Sequence, residues 1–143
     1  MRIGEIVQIT VIGSVLVGGI VAVTFNASGP SPAAVTVDVT VPDLSLAAAK
    51  GSQIYDDNCA ACHGQNSAGT EKGPPLIHDI YNPGHHSDDA FFRAVQKGVK
   101  QHHWPYGDMP PQPQASRSDV SAVITFIREV QQANGIYYQK HRM

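Results

Sequence analysis

The spacing of apolar residues divides the chain before any chemistry enters. Ile6 to Phe25 is a run of twenty residues without a formal charge, about the length that crosses a bilayer core as a helix. No polar face exists between Val11 and Val23, which speaks against a buried helix of a soluble domain. Val35 to Val41 then alternates apolar with polar residues, as an extended, half-buried segment does. From Leu46 to Asn58 the pattern turns helical, with Gly51 and Tyr55 four apart and hence on one face. A second helix reads from Asp88 to Lys97. Ser87 suits its N-cap, Asp88 and Asp89 its first turn, and Gly98 the position past its end. The clearest helix comes last, with Val120, Val123, Ile124, Ile127 and Val130 at i, i+3, i+4, i+7 and i+10. Ser116 and Asp119 form a capping-box-like start for it, and Gly135, after Asn134, ends it.

A glycine inside a helix costs about 1 kcal/mol against alanine, so Gly51 predicts another helix crossing close by. Residues 67–75 read as loop, punctuated by Gly69, Gly73, Pro74 and Pro75. Residues 99–115 are proline-rich and aperiodic. A segment of that length inside a small domain is usually functional or disordered, and Trp104 and Tyr106 argue for functional.

The expected organisation is a membrane anchor over residues 1–25, an extended linker over 26–43, a helical domain over 44–135 and a tail over 136–143. A cleaved secretory signal is the alternative for the first segment. Its apolar run is long for a signal, however, and Phe25 is bulky where a cleavage site wants a small residue. A packed edge segment is the alternative for 35–41. Arg2 precedes the span and no Lys or Arg follows until Lys50, so the domain is expected on the side away from the cytoplasm.

Net charge is −2 and no basic run is present, which excludes the electrostatic footprint of a nucleic-acid binder. Charged residues make up 15 %, against about 25 % in an average soluble protein. Part of that deficit lies in the anchor.

The chemistry concentrates at Cys59-Ala60-Ala61-Cys62-His63. Two thiols three positions apart, followed directly by histidine, form the pattern for covalent haem c attachment. Each thiol adds to one porphyrin vinyl group, and the histidine ligates the iron. A four-thiolate zinc site needs more than the two cysteines present. A thioredoxin-like pair needs a long helix opening at the first cysteine, whereas here the helical pattern ends at the motif. Met109 is the only internal methionine, Met1 and Met143 being terminal. Pro110 and Pro111 stiffen its segment by fixing φ. It is therefore the expected sixth iron ligand, with His102 and His103 as competing donors. The pairs His85-His86 and His102-His103 are either solvated loop residues, a metal site or a pH sensor.

Residues 44–135 thus resemble a class I cytochrome c, with one His/Met-ligated haem and, given the apolar run, of the membrane-anchored bacterial type. The resemblance implies an all-α fold: a small helical bundle around one covalent haem c, its first and last helices crossing, here preceded by a transmembrane helix. Gly51, Tyr55 and Phe126 fall where that family places the residues of the crossing. Gly73-Pro74-Pro75-Leu76 resembles the family's Gly-Pro-x-Leu turn. This match gives the Pro74 carbonyl the Nδ1 proton of the proximal histidine, and Leu76 a contact with haem. Trp104 and Tyr106 suit hydrogen bonds to a haem propionate or plain packing against the porphyrin.

With iron closed on both sides by His63 and Met109, one-electron transfer is expected rather than catalysis. Lys72, Lys97 and Lys100 flank the site and offer weak steering toward an acidic partner. The resemblance implies a carrier on the periplasmic face of a bacterial inner membrane. Its donor would be a quinol-oxidising complex or a dehydrogenase, its acceptor a terminal oxidase or reductase. The alternatives are a fixed haem subunit of an oxidoreductase complex and a gas or redox sensor with displaceable Met109.

Overall fold

The computed structural model describes residues 34–140. Helices dominate them: α1 (Leu46–Asn58), a single turn α2 (Ala60–His63), α3 (Asp88–Lys97) and α4 (Arg117–Ala133), with short 3₁₀ turns at Gln65–Ser67 and Asp79–Tyr81. Among the described residues there is no strand, only an isolated antiparallel bridge between Val99 and Met109. No helix among them is long and apolar enough to cross a membrane. The expected span lies outside the described residues.

Caps set the helix ends. Ser45 accepts from the Ala48 amide to open α1, and Ser116 and Asp119 exchange side-chain and backbone bonds to open α4. Ser87 occupies the N-cap of α3 but makes no side-chain cap bond there. Gly98 ends that helix at φ +73°, a conformation that costs glycine little.

The core is where α1 meets α4. Tyr55 and Phe126 are 0 % and 1 % exposed, with ring centroids 5.5 Å apart in a tilted pair. Gly51 faces the α4 backbone so closely that a Cβ there would collide with the Ala122 carbonyl. The apolar stripe of α4 is buried as its spacing predicts, from Val120 to Val130. Glu129 ties the crossing from outside, accepting from the Ser45 amide at 3.0 Å and the Ser45 hydroxyl at 2.6 Å.

The alternating segment is extended but docked. Val37 and Val39 pack on the core. The Val37 amide donates to the Ala68 carbonyl at 3.0 Å, and the Val35 amide to the Tyr106 hydroxyl at 2.8 Å. Asn134 serves Thr40 as a strand edge would: its Oδ1 accepts from the Thr40 amide and its Nδ2 donates to the Thr40 carbonyl. The alternation therefore marks one face lying on helices rather than a strand awaiting a second strand. The tail also returns to the domain, with Ile136 buried and the Gln139 amide 3.3 Å from Asn82 Oδ1.

Candidate functional site

The haem-attachment motif closes α1 and forms α2. The Cys59 amide still donates to Tyr55 O, while the His63 amide donates to Cys59 O. The motif is pinned at its far end by Tyr55, whose buried hydroxyl donates to the Gly64 carbonyl at 2.9 Å. Burial pushes the Tyr55 phenol well above its ordinary pKa, which keeps it a donor. Thr70 holds the Cys62 carbonyl from the other side.

Cys59 is half-buried and Cys62 exposed. Burial pushes the Cys59 thiol up to about 11, with Cys62 adding to the effect. Reactive dithiols have lowered pKa values, and the Cys59 thiol shifts the other way.

His63 Nδ1 lies 2.9 Å from the Pro74 carbonyl. That contact assigns Nδ1 as the donor and leaves the Nε2 lone pair available. Burial lowers the His63 pKa, against the smaller opposing effect of the Pro74 carbonyl, so the ring is neutral, as a metal ligand must be.

Met109 stands on a short hairpin. Its amide and carbonyl both pair with Val99, at 3.0 and 2.9 Å. Asp108 accepts from Lys100 Nζ and the Gln101 amide, and Gln101 Oε1 accepts from the Gly107 amide. Gly98 permits the close passage, since a Cβ there would meet the Met109 carbonyl at 2.5 Å.

His63 and Met109 line one mostly apolar cavity of about 710 Å³, with Cys59, Cys62, Pro74 and Leu76 also on its wall. Ligand pockets run to roughly 300–1,000 Å³. Trp104 and Tyr106 line it too, and Trp104 Nε1 is buried beside the Tyr81 hydroxyl without a well-formed hydrogen bond. An orphaned buried donor is costly and fits an anionic acceptor seated in this cavity. Tyr106 Oη already accepts from Val35.

Sequence reasoning missed two residues that hold the cavity's loop. Gln131, fully buried, donates to the carbonyls of Leu76 at 2.9 Å and Tyr81 at 3.1 Å. Arg128 donates to the Tyr81 and His86 carbonyls, to Gln131 Oε1 and to Asp88. Both lie on the apolar face of α4, where a polar residue at a core-facing position was the available signal.

The cysteines and histidine at motif spacing, a cavity of ligand size and an orphaned donor within it define a covalent haem protein. The family model for cytochrome c matches residues 48–131. The chain belongs to the cytochrome c family and carries covalently attached haem c. Among curated proteins, it is 38 % identical over 60 residues to the cbb3-type cytochrome c oxidase subunit FixP of Bradyrhizobium diazoefficiens, covering 42 % of this chain and 20 % of that one. It is 35 % identical over 57 residues to the subunit CcoP of Azospirillum sp., covering 40 % and 19 %. FixP of another Bradyrhizobium is 56 % identical over 36 residues, which cover 25 % of this chain and 12 % of the relative. The matched stretch thus spans a fifth or less of each relative's length. No solved structure matches the chain.

Proposed function

We propose that this protein is a one-electron relay whose haem is held by thioethers to Cys59 and Cys62 and ligated by His63 and Met109. When bound, haem c supplies an Fe(III)/Fe(II) couple. The observation that carries the reading is the fixing of both donors on one cavity: His63 by the Pro74 carbonyl, Met109 by its bridge to Val99. Pro74 thereby orients the imidazole. Leu76 supplies an apolar wall, and Trp104 Nε1 is the donor for a propionate. The rings of His102 and His103 turn instead toward His86 and His85, which favours Met109 as the sixth ligand. Two protein donors leave no iron position for a substrate.

The organisation proposed is an anchor over residues 1–25, a connecting segment over 26–43, the haem domain over 44–135 in the periplasm, and a tail over 136–143. A quinol-oxidising complex or dehydrogenase would supply electrons, and a terminal oxidase or reductase would accept them. A second reading, favoured by the similarity to FixP and CcoP, is a fixed subunit of an oxidase complex. Co-purification of stoichiometric partners from native membranes separates it from the shuttle.

Spectroelectrochemical titration of the wild type and Met109→Ala tests the ligation. Loss of the near-infrared band of histidine–methionine haem and a lower potential are expected in the variant. An unchanged band and potential overturn the assignment. Ready carbon monoxide binding by the reduced wild type would favour the sensor.

A further inference from the structure

The four histidines of the two pairs converge from separate segments. His85 and His86 sit on the loop after the Asp79–Tyr81 turn, and His102 and His103 sit near the tip of the Met109 hairpin. His85 Nε2 and His103 Nε2 lie 3.2 Å apart. Ring centroids are 4.7 Å apart for His85 and His86, and 5.3 Å for His86 and His103. We propose that His85, His86 and His103 bind a divalent transition-metal cation of borderline softness, such as zinc, on the wall of the haem cavity.

Geometry supports the donor set. Zinc–nitrogen bonds of about 2.0–2.1 Å at a tetrahedral angle place two ligand nitrogens roughly 3.3–3.4 Å apart. The His85–His103 pair already has that bite at 3.2 Å. The donor atoms of all three residues lie within 4.8 Å of one another, so closure requires at most about 1.5 Å of movement to reach that spacing. His103 is exposed at the hairpin tip and has the side-chain freedom to make it.

The supporting contacts are those that a ligating histidine needs. His86 Nδ1 lies 2.7 Å from the Ile80 carbonyl. Donation there fixes the tautomer and leaves Nε2 as the donor atom, the arrangement that orients metal-bound imidazoles. The backbone is held as well. Asn82 Oδ1 accepts from the Gly84 and His85 amides, and Arg128 donates to the His86 carbonyl at 2.6 Å. His102 Nδ1 is likewise 2.8 Å from the Lys100 carbonyl, which sets its ring against His86. An all-imidazole set suits zinc, copper or nickel and disfavours calcium and magnesium. Three protein nitrogens leave a fourth position for water, as in exchangeable sites.

The test uses the haem-loaded protein, titrated calorimetrically with zinc sulfate in a phosphate-free buffer at pH 7.5. X-ray absorption at the zinc edge then counts imidazoles. One zinc per chain with about three imidazoles is expected. A loss of affinity of at least about 10-fold is expected in His103→Ala and in His86→Ala. An unaltered visible haem spectrum reports that each variant is intact. Because His103 is exposed, its variant carries the test should His86→Ala fail to load haem. No saturable uptake, undiminished uptake in His103→Ala, or a zinc shell with fewer than two imidazoles overturns the proposal.

Discussion

The Gln131 side-chain amide donates to the Leu76 carbonyl at 2.9 Å across 55 residues of sequence. Leu76 follows the Pro74-Pro75 turn that meets His63, so this contact joins the last helix to the wall behind the motif. Gln131→Leu keeps the approximate volume but strands the Leu76 carbonyl and removes an acceptor from Arg128. A loss of about 1–3 kcal/mol is expected, read by guanidinium denaturation of the haem-loaded protein. A change below about 0.5 kcal/mol would show that the contact is dispensable.

Helix propensity and packing oppose one another at Gly51. Alanine gains about 1 kcal/mol in an unconstrained helix. Here its Cβ would collide with the Ala122 carbonyl, and such overpacking costs about 1–3 kcal/mol. Gly51→Ala is therefore expected to lower the thermal midpoint. A higher midpoint would mean that the helices separate at little cost.

Asn134→Ala removes both side-chain bonds to Thr40. Faster hydrogen exchange at the Thr40 amide is expected, with the Ala68-paired amide of Val37 less affected. Equal acceleration at both would indicate that the segment releases as a unit.

Asp119 makes a pH-dependent contribution. Its bonds with the Ser116 hydroxyl and amide hold its carboxyl below the ordinary value of 3.8. The unfolded chain thus binds this proton more tightly than the folded one. The capping contribution is fully present above 3.8 and is lost as pH falls through the lower, folded value. Asp119→Asn should lower stability near neutrality, where the contribution is fully present, and flatten the profile below 3.8, so that variant and wild type converge in acid. Acid denaturation followed by helical circular dichroism reads the difference.

How much of this was legible in the sequence depended on whether the signal was local. The α3 and α4 boundaries followed from periodicity and caps, and Gly51 with Tyr55 announced the crossing because a mid-helix glycine has few other uses. Val35 to Val41 was legible as extended, with docking only as the alternative reading, since its partners, Ala68, Tyr106 and Asn134, are distant and on no strand. The meeting of the histidine pairs was equally hidden. It depends on Asn82 and Arg128 shaping one loop and on Asp108 and Gln101 shaping the other. Arg128 and Gln131 escaped notice because a periodicity argument weighs only apolar positions.

The Val99–Met109 bridge has a kinetic consequence. Two backbone hydrogen bonds confine the methionine to a small volume on one side of the cavity. A donor tethered in this way behaves as if present at a high effective concentration, of the order of millimolar or more for short connections. With Met109 as the proposed iron ligand, any diffusing competitor, a dissolved gas included, would have to outbid a thioether that returns almost as soon as it leaves. Under that ligation, the bridge would weight this haem toward passing electrons rather than answering to ligands.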